Sequence, residues 1–130
     1  NAIADAPCQA GSMTAPRCLI VDDSAAFRDA ARAMLERGGF AVVGAAADAA
    51  EAVRLTAELH PDVALVDVDL GADSGFDVAD RLNDSHHDLA VILTSTHDEQ
   101  DFADLVAASP ARGFLPKLTL SADAIREMLG

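Results

Sequence analysis

The chain has 130 residues, 51% of them hydrophobic, which is enough for one domain with an ordinary core. Its 22 acids against 9 bases give a formal net charge of -13, a surface that repels phosphate backbones and argues against direct nucleic-acid binding. Aromatics make up 4%, with no Trp or Tyr, so there is little on which bases or flat cofactors could stack. No window approaches the roughly 18 apolar residues of a membrane span, and no basic-then-apolar secretory signal opens the chain. Cys8 and Cys18 have neither disulfide-framework nor metal spacing, a usage that fits the reducing cytoplasm.

Residues 1–16 show no period and are punctuated by Pro7, Gly11 and Pro16. They are expected to form a flexible leader, with Gly11-Ser12-Met13 reading as a cloning junction before a start methionine. The domain is expected over residues 17–130. Its first strand runs from about Arg17 to Val21 into Asp22-Asp23. Ser24 stands where an N-cap belongs, Phe27, Ala31, Met34 and Leu35 mark a helix face, and Gly38-Gly39 ends it. Phe40–Ala45 reads as the second strand. Asp48 and Glu51 form a capping box for a helix carrying Ala52, Leu55 and Leu59, which His60-Pro61 closes.

The run Val63-Ala64-Leu65-Val66 into Asp67 is the central signal, a buried strand that delivers a carboxylate to the sheet's carboxyl edge. Gly71 and Gly75 then give the loop backbone freedom. Ser74 is a weak cap for a third helix on Phe76, Val78, Ala79 and Leu82, and Asn83 to Asp88 reads as polar loop. Ala90–Leu93 is a strand ending at Thr94-Ser95-Thr96. Thr96 and Glu99 box the start of a fourth helix with Phe102, Leu105 and Val106, which Ser109-Pro110 closes. Gly113–Pro116 is the last strand, ending at Lys117, and Ser121 caps a helix through Ile125, Met128 and Leu129. Five strands alternating with five helices imply an α/β, doubly wound, mostly parallel sheet.

Asp22, Asp23, Asp67, Thr94 and Lys117 thus stand at the ends of four strands. Carboxylates packed that closely raise one another's pKa unless a cation intervenes, and an all-oxygen donor set suits Mg²⁺ and fits zinc poorly. The metal and Lys117 would neutralise the oxygens of a phosphoryl group while Asp67, the best nucleophile candidate, attacks phosphorus. The aspartyl phosphate would recruit Thr94 and Lys117 and so move the loops after their strands. His86-His87 reads as solvent-facing, His97 as a first-turn helix residue, and Cys18 as a buried thiol without a reactive role. Phe27, Phe40 and Phe102 read as core. No Gly-rich phosphate loop follows the first strand, which argues against a nucleotide-binding Rossmann unit.

From about Arg17 to Gly130 the chain resembles the receiver domain of bacterial two-component response regulators. The resemblance rests on Asp22-Asp23, Asp67, Gly75, Thr94 and Lys117, with Phe114 where the family places its switch aromatic. The closing Gly113-Phe114-Leu115-Pro116-Lys117, with Leu120 and Ser121, is similar to the subfamily carrying a C-terminal helix-turn-helix. The resemblance implies a flavodoxin-like (βα)5 sheet of order 2-1-3-4-5. It implies Mg²⁺ (Mn²⁺ as substitute) on Asp23, Asp67 and the Asp69 carbonyl, with Asp22 acting through water. Asp67 would be the phosphoacceptor, Thr94 and Phe114 the switch, and Asp69 and Thr96 the modulators of phosphate lifetime.

A sensor histidine kinase or phosphotransfer protein would be the donor. Phosphorylation would promote homodimers through the last two helices and the strand between them, and would control transcription through an output domain. Two departures from the family pattern stand out: Gly71 replaces a frequent proline, which loosens the loop, and Leu118 replaces the proline that often follows the lysine in a cis bond. Two other readings use the same residues. One is a small Mg²⁺-dependent phosphatase built on Asp67-Val68-Asp69; the other is a pseudo-receiver that works without phosphate. A receiver would catalyse its own phosphorylation and dephosphorylation and would not turn over external substrates.

Overall fold

A computed structural model describes residues 15–86, 88–96 and 102–129. The leader up to residue 14, His87, His97 and most of the Thr96–Glu99 capping box lie outside the described residues. The elements follow as β1 (Arg17–Val21), α1 (Ala25–Arg37), β2 (Ala41–Ala46), α2 (Ala49–Leu59) and β3 (Val63–Asp67). A small pair, β4 (Asp69–Leu70) and β5 (Asp73–Ser74), precedes α3 (Gly75–Ser85). Then come β6 (Ala90–Ser95), α4 (Ala103–Ala108), β7 (Gly113–Pro116), a 3₁₀ turn over Lys117–Thr119, and α5 (Ala122–Leu129).

The main sheet has five parallel strands in the order β2-β1-β3-β6-β7, which is 2-1-3-4-5 among its own members. The doubly wound expectation therefore holds. Alternate side chains of each strand feed two cores. Leu19, Val21, Ala64, Val66, Val91, Leu93 and Phe114 face α2 and α3, with Phe102 and Val106 packed at the rim. Cys18, Ile20, Val63, Leu65 and Ile92 face α1 and α5. β3 is buried at every position, as is β6, and lies at the centre of the sheet between β1 and β6, so Asp67 is carried by a fully shielded strand.

The caps form as the side-chain chemistry dictates. Phe27 N–H donates to Ser24 Oγ (3.2 Å), Phe76 N–H to Ser74 Oγ (3.2 Å) and Ala124 N–H to Ser121 Oγ (3.0 Å). At α2, Glu51 N–H donates to Asp48 Oδ1 (2.8 Å), while the Glu51 carboxylate accepts from Ala47 N–H (2.8 Å), one residue earlier than a standard box. Gly38 and Gly39 (φ 92°) end α1, and His60 ends α2 in the left-handed region (φ 49°).

Three expectations are corrected. Asn83 to Ser85 belong to the last turn of α3 and not to a polar loop, because Leu82 still buries against the sheet and His86 N–H caps back on its carbonyl. The second strand begins at Ala41, since Phe40 turns inward to pack beneath Arg126. The stretch after Asp67 is no loose loop but a hairpin, with Asp69 opposite Ser74 and Leu70 opposite Asp73. Gly71 turns it at φ 69°, a backbone that proline cannot adopt. No cis peptide bond occurs among the described residues. α4 buries no residue fully, which makes it the least anchored helix.

Candidate metal and phosphoryl site

Parallel strands end together, so the β1 and β3 termini bring Asp22, Asp23 and Asp67 to one edge. One ligand oxygen from each lies within 4.8 Å of the others, an arrangement consistent with a divalent-cation site of the Mg²⁺ type. Asp22 and Asp67 are buried and Asp23 is open to solvent, so the site has two shielded walls and a wet mouth. Ser24 N–H donates to Asp22 Oδ1 (2.8 Å) and Asp69 N–H to Asp67 Oδ1 (3.3 Å). Both bonds aim the remaining oxygens inward.

Lys117 follows β7 and reaches across. Its Nζ stands 2.7 Å from Asp22 Oδ2 and 3.5 Å from Asp67 Oδ2. The shorter contact is an ion pair to a buried carboxylate oxygen that has no hydrogen-bond donor of its own among the described residues. The same ammonium lies 4.2 Å from the centre of the Phe27 ring. Phe27, read from sequence as core, is thus half-buried and also walls the lysine. Burial first, and then the Asp22 charge, push the Asp67 carboxyl from its ordinary 3.8 up to about 6, against the pull of Lys117 and the Asp69 N–H. A carboxylate so penalised gains from any cation that joins it.

Thr94 is opposite Asp67 in the β3–β6 register, and its buried Oγ1 has no hydrogen-bond partner among the described residues. A buried hydroxyl left unpaired is costly, so the side chain is poised for an acceptor that arrives from the cleft. Asp69 and Thr96 are exposed at the rim. Phe114 is buried, two positions inward of the end of β7, and joins a row of rings: 6.1 Å to Phe102, which is 6.0 Å from Phe76. In this structure Phe114 occupies the inward position.

Several contributors were not read from the sequence. Arg28 Nη1 donates to the Asp22 carbonyl (2.7 Å) and ties α1 to the acid pair. Its place in the first turn of α1, six residues from Asp22, was the available signal. Gly75 was expected to supply flexibility, yet its φ is ordinary and its role is close approach. A Cβ there would overlap the Asp67 carbonyl and come within 2.7 Å of Val68 Cα. His86, expected to face solvent, is half-buried with its ring edge-on to His60 at 6.2 Å.

His60 and His86 line a hollow of about 430 Å³ with Thr56, Asp62 and Asp88, at the amino-terminal edge of the sheet and so away from the carboxylates. Cys18 is buried and its thiol is pushed up to about 12, which keeps it protonated and inert. No described helix is long and apolar enough to cross a membrane.

A flavodoxin-like sheet whose carboxyl edge gathers three acids and one lysine is the architecture of a receiver domain. The sequence places the chain there directly: residues 18–129 match the family model described as response regulator receiver domain, and the chain belongs to that family. It is 31% identical over 110 residues to the transcriptional regulatory protein DegU of Brevibacillus brevis, covering 84% of this chain and 46% of that protein. It is 37% identical over 84 residues to a protein-glutamate methylesterase/protein-glutamine glutaminase of Caulobacter vibrioides, covering 65% of this chain and 24% of that one.

The chain therefore spans about half or less of the curated relatives it matches. Among solved structures, it is similar to a response regulator from Burkholderia pseudomallei that holds a phosphorylated aspartic acid, a calcium ion and citrate. That match has a TM-score of 0.78 and 26% identity and covers 88% of this chain and 66% of the other.

Proposed function

We propose that this domain accepts a phosphoryl group on Asp67 from a histidine kinase or phosphotransfer protein, with Mg²⁺ as cofactor. The observation that carries the reading is the juxtaposition of Asp22, Asp23 and Asp67 within 4.8 Å, with Lys117 bridging two of them. One Asp67 carboxylate oxygen attacks phosphorus, the P–N bond to the donor imidazole breaks, and the imidazole leaves with a proton. Asp23, Asp67 and the Asp69 carbonyl would hold Mg²⁺, which would supply positive charge to the phosphoryl oxygens. Asp22 would act on the metal through a water, and its ion pair with Lys117 directs the ammonium toward the cleft. Lys117 neutralises a phosphoryl oxygen, and the unpaired Thr94 hydroxyl donates to another once the acyl phosphate exists. Thr94 then draws in its loop, and Phe114, already inward against Phe102, shifts within the row of rings that it shares with Phe102 and Phe76.

For the donor, the surface beside Lys117 offers Leu118, 93% exposed, next to a hollow of about 160 Å³ lined by Phe27, Ala30, Ala31, Met34, Lys117 and Leu120. An apolar rim around a reactive cleft suits a helical partner. For the output, the likeness to the transcriptional regulatory protein DegU supports control of transcription, and the methylesterase relative marks an enzymatic output as the competing outcome. The weakly anchored α4, with Leu105 54% exposed, supports a phosphorylation-dependent homodimer on the α4–β7–α5 face.

Asp69 at the rim disfavours a second anion and sets phosphate lifetime together with Thr96. Measured dephosphorylation of Asp69→Asn should differ from the parent, and equal lifetimes refute that role. The reading as a whole is tested by Mg²⁺ titration together with turnover of small phosphomonoesters. Mg²⁺ binding without turnover supports a receiver. Sustained turnover would make the protein a phosphatase, and failure to bind Mg²⁺ would make it a phosphate-independent interaction module.

A further inference from the structure

We propose that Asp73 is a positioning residue for the metal, acting through the hairpin that bears Asp69. The inference rests on the reading above, in which the Asp69 carbonyl is a metal ligand. That carbonyl belongs to a hairpin of two-residue strands, too small to hold its own shape in water. Three contacts hold it from outside. Leu70 is buried in the core, Gly75 N–H donates to the Val68 carbonyl (2.8 Å), and Asp73 Oδ2 accepts from Ala49 N–H (3.0 Å) across 24 residues of chain.

Ala49 is the first residue of α2, one of the positions whose N–H has no partner within the helix. The nearby acids are engaged elsewhere, Asp48 with Glu51 N–H and Glu51 with Ala47 N–H. Asp73 thus satisfies an orphan donor from another loop and places a negative charge at the positive end of α2. The turn before α2 is tied on its other side to the acid pair, because Asp22 N–H donates to the Ala46 carbonyl (2.9 Å). One short turn is therefore bonded to both arms of the site, the Asp22-Asp23 arm directly and the Asp69 arm through Asp73. The separation of the arms is set by this brace, and a site that demands near-octahedral oxygen geometry is sensitive to it.

A plain capping role would stabilise α2 and leave the metal indifferent, so the test separates stability from affinity. Mg²⁺ affinity is measured by calorimetry on the parent, Asp73→Ala, Asp73→Asn and Asp48→Ala, with folding checked by circular dichroism. Asp73→Ala should weaken Mg²⁺ binding by about tenfold. Asp73→Asn keeps an acceptor oxygen without the charge and should bind nearly as the parent does. Asp48→Ala removes a cap from the same helix without touching the hairpin, so it should lower stability but keep affinity.

Should Asp73→Ala fold poorly, Ala49→Pro removes the donor instead. Proline suits a helix's first position, and Asp48 already has the extended backbone that proline requires before it. It should reproduce the affinity loss. Equal affinity in the parent and in Asp73→Ala or Ala49→Pro overturns the proposal. A parent that takes up no Mg²⁺, or an Asp67→Asn control that binds as well as the parent, overturns the functional reading instead, and this inference with it.

Discussion

Asp67→Asn should make the metal-free protein more stable at neutral pH, although the substitution removes the site's central group. The carboxyl is buried beside Asp22, and its pKa stands at about 6 against an ordinary 3.8. A raised pKa in an acid means that between those values the native state holds a proton that the unfolded chain has released. Stability then falls as pH rises through that window, and the penalty is complete above pH 6. Two units correspond to at most about 3 kcal/mol, and the open mouth at Asp23 screens part of it, leaving about 1–3 kcal/mol.

Asparagine keeps the shape and an oxygen for the Asp69 N–H but carries no charge. Urea unfolding followed by far-UV circular dichroism, in chelator, across pH 4.5 to 8 (a range chosen to bracket the window) should show the parent losing stability while the variant does not. Saturating Mg²⁺ should then raise the parent more than the variant, by about 2.7 kcal/mol at a hundredfold excess over Kd. A variant no more stable than the parent at pH 7.5, chosen as lying above the window, or a parent flat across it, would refute the reasoning.

Lys117→Met should destabilise the metal-free protein by about 1–3 kcal/mol, since it strands Asp22 and Asp67 as unpaired charges, and Mg²⁺ should restore much of the loss in thermal melts. Gly75→Ala should cost about 3 kcal/mol in urea, because the clash is with the Asp67 and Val68 backbone and nothing flexible can yield. Thr94→Val should be neutral or stabilising by about 1 kcal/mol in the unphosphorylated protein, as the hydroxyl it removes has no partner there. The same variant should lose any phosphorylation-dependent change in oligomeric state by light scattering.

Fold and site differ in how legible they are from sequence. The parallel sheet could be read because four of its five strands are short apolar runs that lead into a polar group, and four of the helices open on a side chain that caps them. The five convergent residues could be read because strand ends are fixed by the same runs. The hairpin after Asp67 could not be, since Asp69, Leu70, Asp73 and Ser74 show no strand pattern and pair only because Leu70 buries and Asp73 reaches α2. Gly75 shows the same limit: its need for close approach depends on where the Asp67 carbonyl comes to lie, which no local pattern encodes. Arg28 and Phe27 acquire their contacts with Asp22 and Lys117 only after α1 docks on the sheet.

The central claim is that Asp67 takes a phosphoryl group in the presence of Mg²⁺. Intact-mass spectrometry of the parent and Asp67→Asn after incubation with acetyl phosphate, with and without Mg²⁺, tests it most directly. The account predicts a single phosphate adduct on the parent that requires Mg²⁺ and is absent from the variant. Folded parent protein that gains no adduct, or an adduct of equal yield on Asp67→Asn, would contradict it.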